Sequence, residues 1–148
     1  MENLMEKFMK AAIEEAELGL QEGGIPIGAV LVRDNKIIGR GRNRRVQNND
    51  PLAHAEIECL RDAGRIGSYT DTILFTTLMP CYLCSGAIVQ FGIEKIVVGE
   101  SRSFKGDGDF LKDHWVSFDD WDWDECRLLM EEFKKKNPTL WKEDIGKL

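Results

Sequence analysis

The 148-residue sequence contains no apolar run approaching the ~20 residues that cross a bilayer. That argues against a membrane protein. It has no basic excess either: 26 acidic residues stand against 20 basic ones, for a net charge of −6. Proteins that hold long polyanions usually show a basic stripe, so a nucleic-acid partner is not expected. The first segment, Met1 to Gln21, lacks the basic start and unbroken apolar centre of a secretory leader. It carries Glu2, Glu6, Glu14, Glu15 and Glu17 instead. The expectation is a soluble, cytoplasmic protein. No repeat, low-complexity tract or Pro/Gly/Ser linker divides the chain, so residues 1–148 read as a single domain.

Cysteine is sparse, with Cys59, Cys81, Cys84 and Cys126 in all. A disulfide framework does not suit a chain of this length and setting. Metal or redox chemistry suits the close pair Cys81 and Cys84 better. Cys59 and Cys126 fall at helical spacing and read as core residues.

What is present is an ordinary globular mixture, 43% hydrophobic and 31% charged. At this size roughly 68–70% of the unfolded surface can be buried. Helix-like and strand-like segments alternate, which predicts helices packed on a sheet. Helices are expected over Met5 to Leu20, Ala53 to Ala63, Cys81 to Phe91, Asp122 to Lys136 and Thr139 to Ile145. The first has its apolar stripe at Met5, Phe8, Met9, Ala12, Ile13, Ala16, Leu18 and Leu20. Strands are expected at Ile27 to Val32, Lys36 to Gly41, Thr72 to Thr77, Ile93 to Val98 and Trp115 to Phe118. Asp34-Asn35 makes the first two a hairpin. Asn43 to Pro51 and Ser101 to Asp109 read as polar loops. His114 reads as a surface residue. Trp115, Trp121 and Trp123 crowd an acidic segment and would suit a partner surface or a subunit contact.

The sharpest feature is His54-Ala55-Glu56 followed by Pro80-Cys81-Tyr82-Leu83-Cys84. Zinc takes imidazole nitrogen and thiolate sulfur in tetrahedral geometry, and a catalytic zinc keeps three protein ligands with the fourth position open to water. His54, Cys81 and Cys84 supply three. The cysteines are i and i+3 at a helix start, so they share a face, and the helix N-terminus favours thiolates. A structural zinc would want four protein ligands, and no second C-x-x-C exists. A redox pair would leave His54 and Glu56 unexplained. Glu56 is not needed as a ligand and stands free for proton transfer beside the open position. The expected site lies at the N-terminal ends of the two motif helices.

This pattern, H-x-E with P-C-x-x-C, is that of the zinc-dependent cytidine and adenosine deaminases. The resemblance extends further. Glu22-Gly23-Gly24-Ile25-Pro26-Ile27-Gly28, Gly39-Arg40-Gly41-Arg42-Asn43, Gly86-Ala87-Ile88 and Val97-Val98-Gly99-Glu100 with Phe104-Lys105 are similar to stretches of the fungal cytosine deaminases. So is the closing run Trp141-Lys142-Glu143-Asp144-Ile145-Gly146. The likeness implies a three-layer α/β/α fold of the cytidine-deaminase type with a mixed central β-sheet, one Zn2+ per subunit and a homodimer. It implies deamination of a nucleobase, cytosine to uracil and ammonia. It also implies roles: Asn43 holding the base edge through its amide, Ala55 donating from its backbone, Phe104 stacking on the base, Trp141 closing the pocket with Ile145 nearby, Asp144 on its polar side, and Ile27 on its floor.

Departures leave the substrate open. Met79 stands where the fungal enzymes resemble Ser-Pro-Cys, and Tyr82-Leu83 differ as well. Isocytosine, guanine or a triazine are the nearest alternatives. A tRNA adenosine deaminase fits the acidic charge less well, and a zinc-stabilised module without activity leaves Glu56 without purpose.

Overall fold

The computed structural model describes residues 4–148, so Glu2 of the acidic N-terminus lies outside the described residues. The chain runs α1 (Glu6–Gln21), β1 (Gly28–Arg33), β2 (Lys36–Arg42), α2 (Ala55–Ala63), β3 (Ile73–Thr76), α3 (Tyr82–Phe91), β4 (Lys95–Val98), α4 (Gly108–Asp113), β5 (Ser117–Asp120), α5 (Asp124–Lys136) and α6 (Pro138–Asp144). Five strands form one sheet in the order β2-β1-β3-β4-β5. β1 pairs antiparallel with β2 and β3, while β3, β4 and β5 run parallel. The sheet is therefore mixed, as expected.

The central strands are apolar on both faces because both faces are covered. Val30, Val32, Phe75 and Val97 join Phe8, Met9 and Ile13 of α1 in one core cluster. Their neighbours in sequence, Ala29, Leu31, Leu74, Ile96 and Val98, point the other way. They pack with Cys59 and Leu60 of α2 and Ile88 of α3. Three layers result, α/β/α. At the hairpin, Asp34 and Asn35 both take positive φ, 50° and 61°, as a two-residue type I′ turn requires.

The registers bring the future site to one sheet edge. Gly28 pairs with Arg42 and Ala29 with Thr76, and Thr76 pairs with Val98. Ile27, Asn43, the Leu78–Cys81 connection and the segment after Val98 therefore emerge side by side. This is the carboxyl edge of the parallel strands, where open α/β sheets place their crevices.

Three local expectations are corrected. Ser101 to Asp109 is not all loop: its end enters α4, capped by Asp107, whose side chain accepts from the Phe110 N–H. One fully buried residue, Leu111, anchors this helix, too little for a periodic pattern to register. β5 begins at Ser117, because Trp115 takes φ 67° and breaks the strand. Leu18 and Leu20 are exposed and Glu15 is buried on α1; its guanidinium partners are Arg40 and Arg42. Trp121 and Trp123 stack at 4.9 Å against the α1 side of the sheet, whereas Trp115 stands exposed. Among the described residues no helix is long and apolar enough to cross a membrane.

Candidate active site

His54 is the residue before the first turn of α2, and Cys81 holds the same place before α3. Pro80 precedes Cys81, and the Cys81 carbonyl accepts from the Ser85 N–H at 2.8 Å. Cys84 follows on the first turn. The imidazole and the two thiols lie with their ligand atoms all within 4.8 Å of one another, close enough to share one ion at ordinary Zn–N and Zn–S distances. Cys81 Sγ is 3.4 Å from His54 Nδ1. Three soft and borderline donors, two helix N-termini and no fourth protein ligand among the described residues fit a zinc ion with an open position.

The electrostatics agree with the donor chemistry. A hydrogen bond from Cys84 and another from His54 bring the Cys81 thiol down to about 4 despite its burial. That same hydrogen bond, with burial, pushes Cys84 up. Burial lowers the His54 imidazole, but the Cys81 hydrogen bond and charge outweigh it and leave His54 at about 8. A bound metal would take these ligands in their deprotonated forms.

Glu56 stands on the first turn of α2, 4% exposed. Burial, helped by the negative charge of Cys81, pushes its carboxyl up to about 7. That value lies near neutral pH, where one carboxyl can both accept and return a proton.

His54, Cys81 and Glu56 share a small cavity of about 20 Å³ with Ile27, Asn43, Phe104, Trp141 and Asp144. Ala55 is not among its lining residues; its methyl packs into the core. Cys84 sits behind Cys81. Asn43 is 1% exposed. Its Oδ1 accepts from the Arg45 N–H at 3.0 Å, and its Nδ2 donates to Asp144 Oδ1 at 3.4 Å. One amide hydrogen and one lone pair remain uncommitted in these contacts. Asp144 also faces the Arg45 guanidinium at 3.4 Å. Burial raises the Asp144 carboxyl, while His54 and Arg45 pull against it. Phe104 and Trp141 meet edge to face, with centroids 6.3 Å apart, and roof the cavity from two different segments.

Two residues join this set without any signal in the sequence: Leu78 lines the cavity and Arg45 holds Asp144. Ile145 lines it as well, on the side the resemblance implies, and so does Met79. Met79 is 3% exposed. The loop beyond Phe104 lies on it: a Cβ at Gly106, where φ is 64°, would come within 2.6 Å of Met79 Cγ and 2.9 Å of the Pro80 carbonyl. Only glycine allows that approach. Met79 was legible as an apolar intruder beside the metal loop. Arg45 is one of two adjacent arginines in a polar loop, and nothing in its spacing marks it.

The description of the cytidine and deoxycytidylate deaminase zinc-binding region matches residues 2–100. A cytosine deaminase from Candida albicans is 37% identical over 143 residues, 95% of each chain. A tRNA-specific adenosine deaminase from Streptococcus pyogenes is 43% identical over 107 residues, 70% of this chain and 67% of that one. The solved guanine deaminase from Bacillus subtilis superposes with a TM-score of 0.59 at 39% identity, over 66% of this chain and 64% of its own. With its zinc-binding region, its His/Cys/Cys group and its mixed-sheet fold, the chain belongs to the cytidine and deoxycytidylate deaminase family.

Proposed function

We propose that this hydrolytic deaminase acts on a free nucleobase, cytosine before others, giving uracil and ammonia. The observation that carries the reading is the roof over the site. Phe104 and Trp141 meet over a cavity of only about 20 Å³, roughly the room of one water. The roof must part to admit any ligand, and a single ring asks less of it than a nucleoside or a folded RNA. The cytosine deaminase alignment, covering 95% of the chain, takes in most of the residues beyond 100 that build the roof.

The residues divide the work as follows. His54, Cys81 and Cys84 would hold the zinc ion, which when bound lowers the pKa of water from 15.7 to about 7. Asn43 presents its spare donor and acceptor to the edge of the base, and Ala55 offers a backbone N–H from the start of α2. Phe104 stacks on the ring. Ile27 meets it from below, and Trp141 excludes solvent. Asp144, held by Asn43 and Arg45, lies on the polar side. Glu56 accepts a proton from the attacking water and passes protons to the ring nitrogen and to the departing amine. The C4–N bond breaks as C4=O forms, and ammonia leaves. The subunits pair as a homodimer, for which the exposed Tyr82, Leu83 and Phe91 of α3 offer an uncharged surface; sedimentation velocity tests it.

The deciding experiment is ammonia release from zinc-loaded protein against cytosine, isocytosine, cytidine, adenine, guanine and a triazine. Turnover of cytosine with none of cytidine is expected. Silence on cytosine with activity on guanine or another ring would overturn the substrate. Tight tRNA binding at low salt would redirect the reading to a polyanion.

A further inference from the structure

Ser103 immediately precedes Phe104, and both of its backbone polar groups are taken by charged side chains of opposite sign. The Ser103 N–H donates to Glu100 Oε2 at 2.9 Å. The Ser103 carbonyl accepts from Lys134 Nζ at 3.2 Å. The carboxylate sits on the positive end of this short segment and the ammonium on its negative end, so each charge complements the group it meets. Glu100 is fully buried just beyond β4, and among the described residues its Oε1 makes no hydrogen bond. The Ser103 amide is the group that its other carboxylate oxygen holds.

The same Lys134 ammonium lies 5.7 Å from the centroid of the Trp141 ring, within range of a cation–π attraction. One side chain of α5 thus touches the loop that carries Phe104 and the helix that carries Trp141. Those two rings meet over the cavity. The ordinary explanation for Lys134 is the helix dipole, since Lys134, Lys135 and Lys136 all stand in the last turn of α5. It does not account for the difference among them. Lys135 and Lys136 are exposed and Lys136 pairs with Glu132 on its own helix. Lys134 is half-buried and turned across to another element.

We propose that Lys134 is a positioning residue that latches the two halves of the aromatic roof together, with Glu100 anchoring the loop half. The latch rests on the reading of the cavity as the base site. It governs how firmly the roof closes on the ring, and hence affinity and release. It does not touch the groups that move protons.

The test compares Lys134→Met, which keeps the stem and removes the charge, with Lys134→Arg, which restores it, and with Lys135→Met as the exposed control. Two readouts are taken on the zinc-loaded protein: hydrogen exchange of the Ser103 amide, and KM and kcat on the base that the panel identifies. Lys134→Met should speed Ser103 exchange and raise KM, each about tenfold, with kcat for the chemical step within about twofold. Zinc content should be unchanged. Lys134→Arg should recover most of both effects and Lys135→Met should behave as wild type. The latch is overturned if Lys134→Met differs from Lys135→Met in neither readout, or if it lowers kcat and melting temperature with KM unmoved. Should no base be turned over even by the wild type, the substrate reading fails by itself. Ser103 exchange then decides the latch: faster in Lys134→Met alone supports it, and equal rates in the two variants overturn it.

Discussion

Asn43 and Asp144, 101 positions apart, meet at 3.4 Å on the wall of the cavity. One belongs to the loop after β2 and the other to the last turn of α6. The contact ties the C-terminal helix to the end of β2 opposite the hairpin turn. It also leaves the amide half-engaged, able to bond a ligand without releasing its neighbours. Asn43→Ala removes the acceptor of the Arg45 N–H and the donor to Asp144, leaving two polar groups in the interior short of partners. The cost to stability should be about 1–3 kcal/mol, read by urea unfolding. The kcat/KM on the identified base should fall at least about tenfold. A variant with native stability and native kcat/KM would remove Asn43 from the site.

Glu56 and His54 lie two residues apart and should separate cleanly by mutation. Glu56→Gln keeps the shape of the side chain and removes its ability to accept a proton. Turnover should drop by about 10²–10⁴-fold, with metal content still one zinc per chain by elemental analysis. His54→Ala should lose both zinc and turnover. If Glu56→Gln retained wild-type rate, proton transfer would have to be reassigned.

Much of this is legible in the sequence. The ligand set followed from donor chemistry, because two thiols three residues apart at a helix start have few other uses alongside an H-x-E segment. The strands followed from β-branched runs, and buried strands advertise themselves by composition. What escaped notice depends on partners distant in sequence. Arg45 matters through Asp144, and Lys134 through Ser103 and Trp141. Each pairing is made by tertiary packing, which periodicity does not report. Helix α4 escaped for a different reason: six residues with one buried anchor are shorter than two helical turns. Leu18 and Leu20 are apolar yet exposed, because they fall off the buried face of α1 and apolarity alone does not carry the angle around the helix.

The approach of α2 to β2 sets where His54 and Glu56 point, and two glycines permit it. A Cβ at Gly39 would come within 2.7 Å of the Cys59 carbonyl oxygen and 2.8 Å of Ala63 Cβ. A Cβ at Gly41 would land on the Cys59 nitrogen and 2.5 Å from the Ala55 carbonyl oxygen. These obstacles are mostly backbone and cannot swing aside. Gly41→Ala must therefore push α2 off the sheet, at a cost of about 1–3 kcal/mol or more. Zinc affinity should weaken with it, since His54 rides on that helix. Gly86→Ala is the contrast: nothing lies within 4 Å of its Cβ, and an alanine inside α3 should stabilise by about 0.5–1 kcal/mol. Thermal melts and a competitive zinc titration of the two variants check both. Equal behaviour would mean that α2 can move without consequence for the metal.

Outside the cavity lining, Glu22 joins the end of α1 to β2. Arg42 Nε and Nη2 reach its two carboxylate oxygens at 3.0 and 2.9 Å, and Gln47 donates at 3.1 Å. The hydrogen bonds from Arg42, then from Gln47, lower the Glu22 carboxyl from its ordinary 4.5 to about 2. A carboxylate depressed on folding stabilises the native state above its unfolded pKa. That contribution is lost as pH falls through the native value, because the unfolded chain takes up the proton first. Glu22→Gln should therefore be less stable than wild type by a constant amount above about pH 5. The deficit should shrink from pH 4.5 downward and vanish near pH 2. Glu22 is 41% exposed, so solvent screening holds the deficit below about 1 kcal/mol. Urea unfolding of both proteins at pH 6, 4.5 and 3 measures it. A deficit that stayed flat or grew toward pH 3 would show that the Arg42 pairing does not persist in solution.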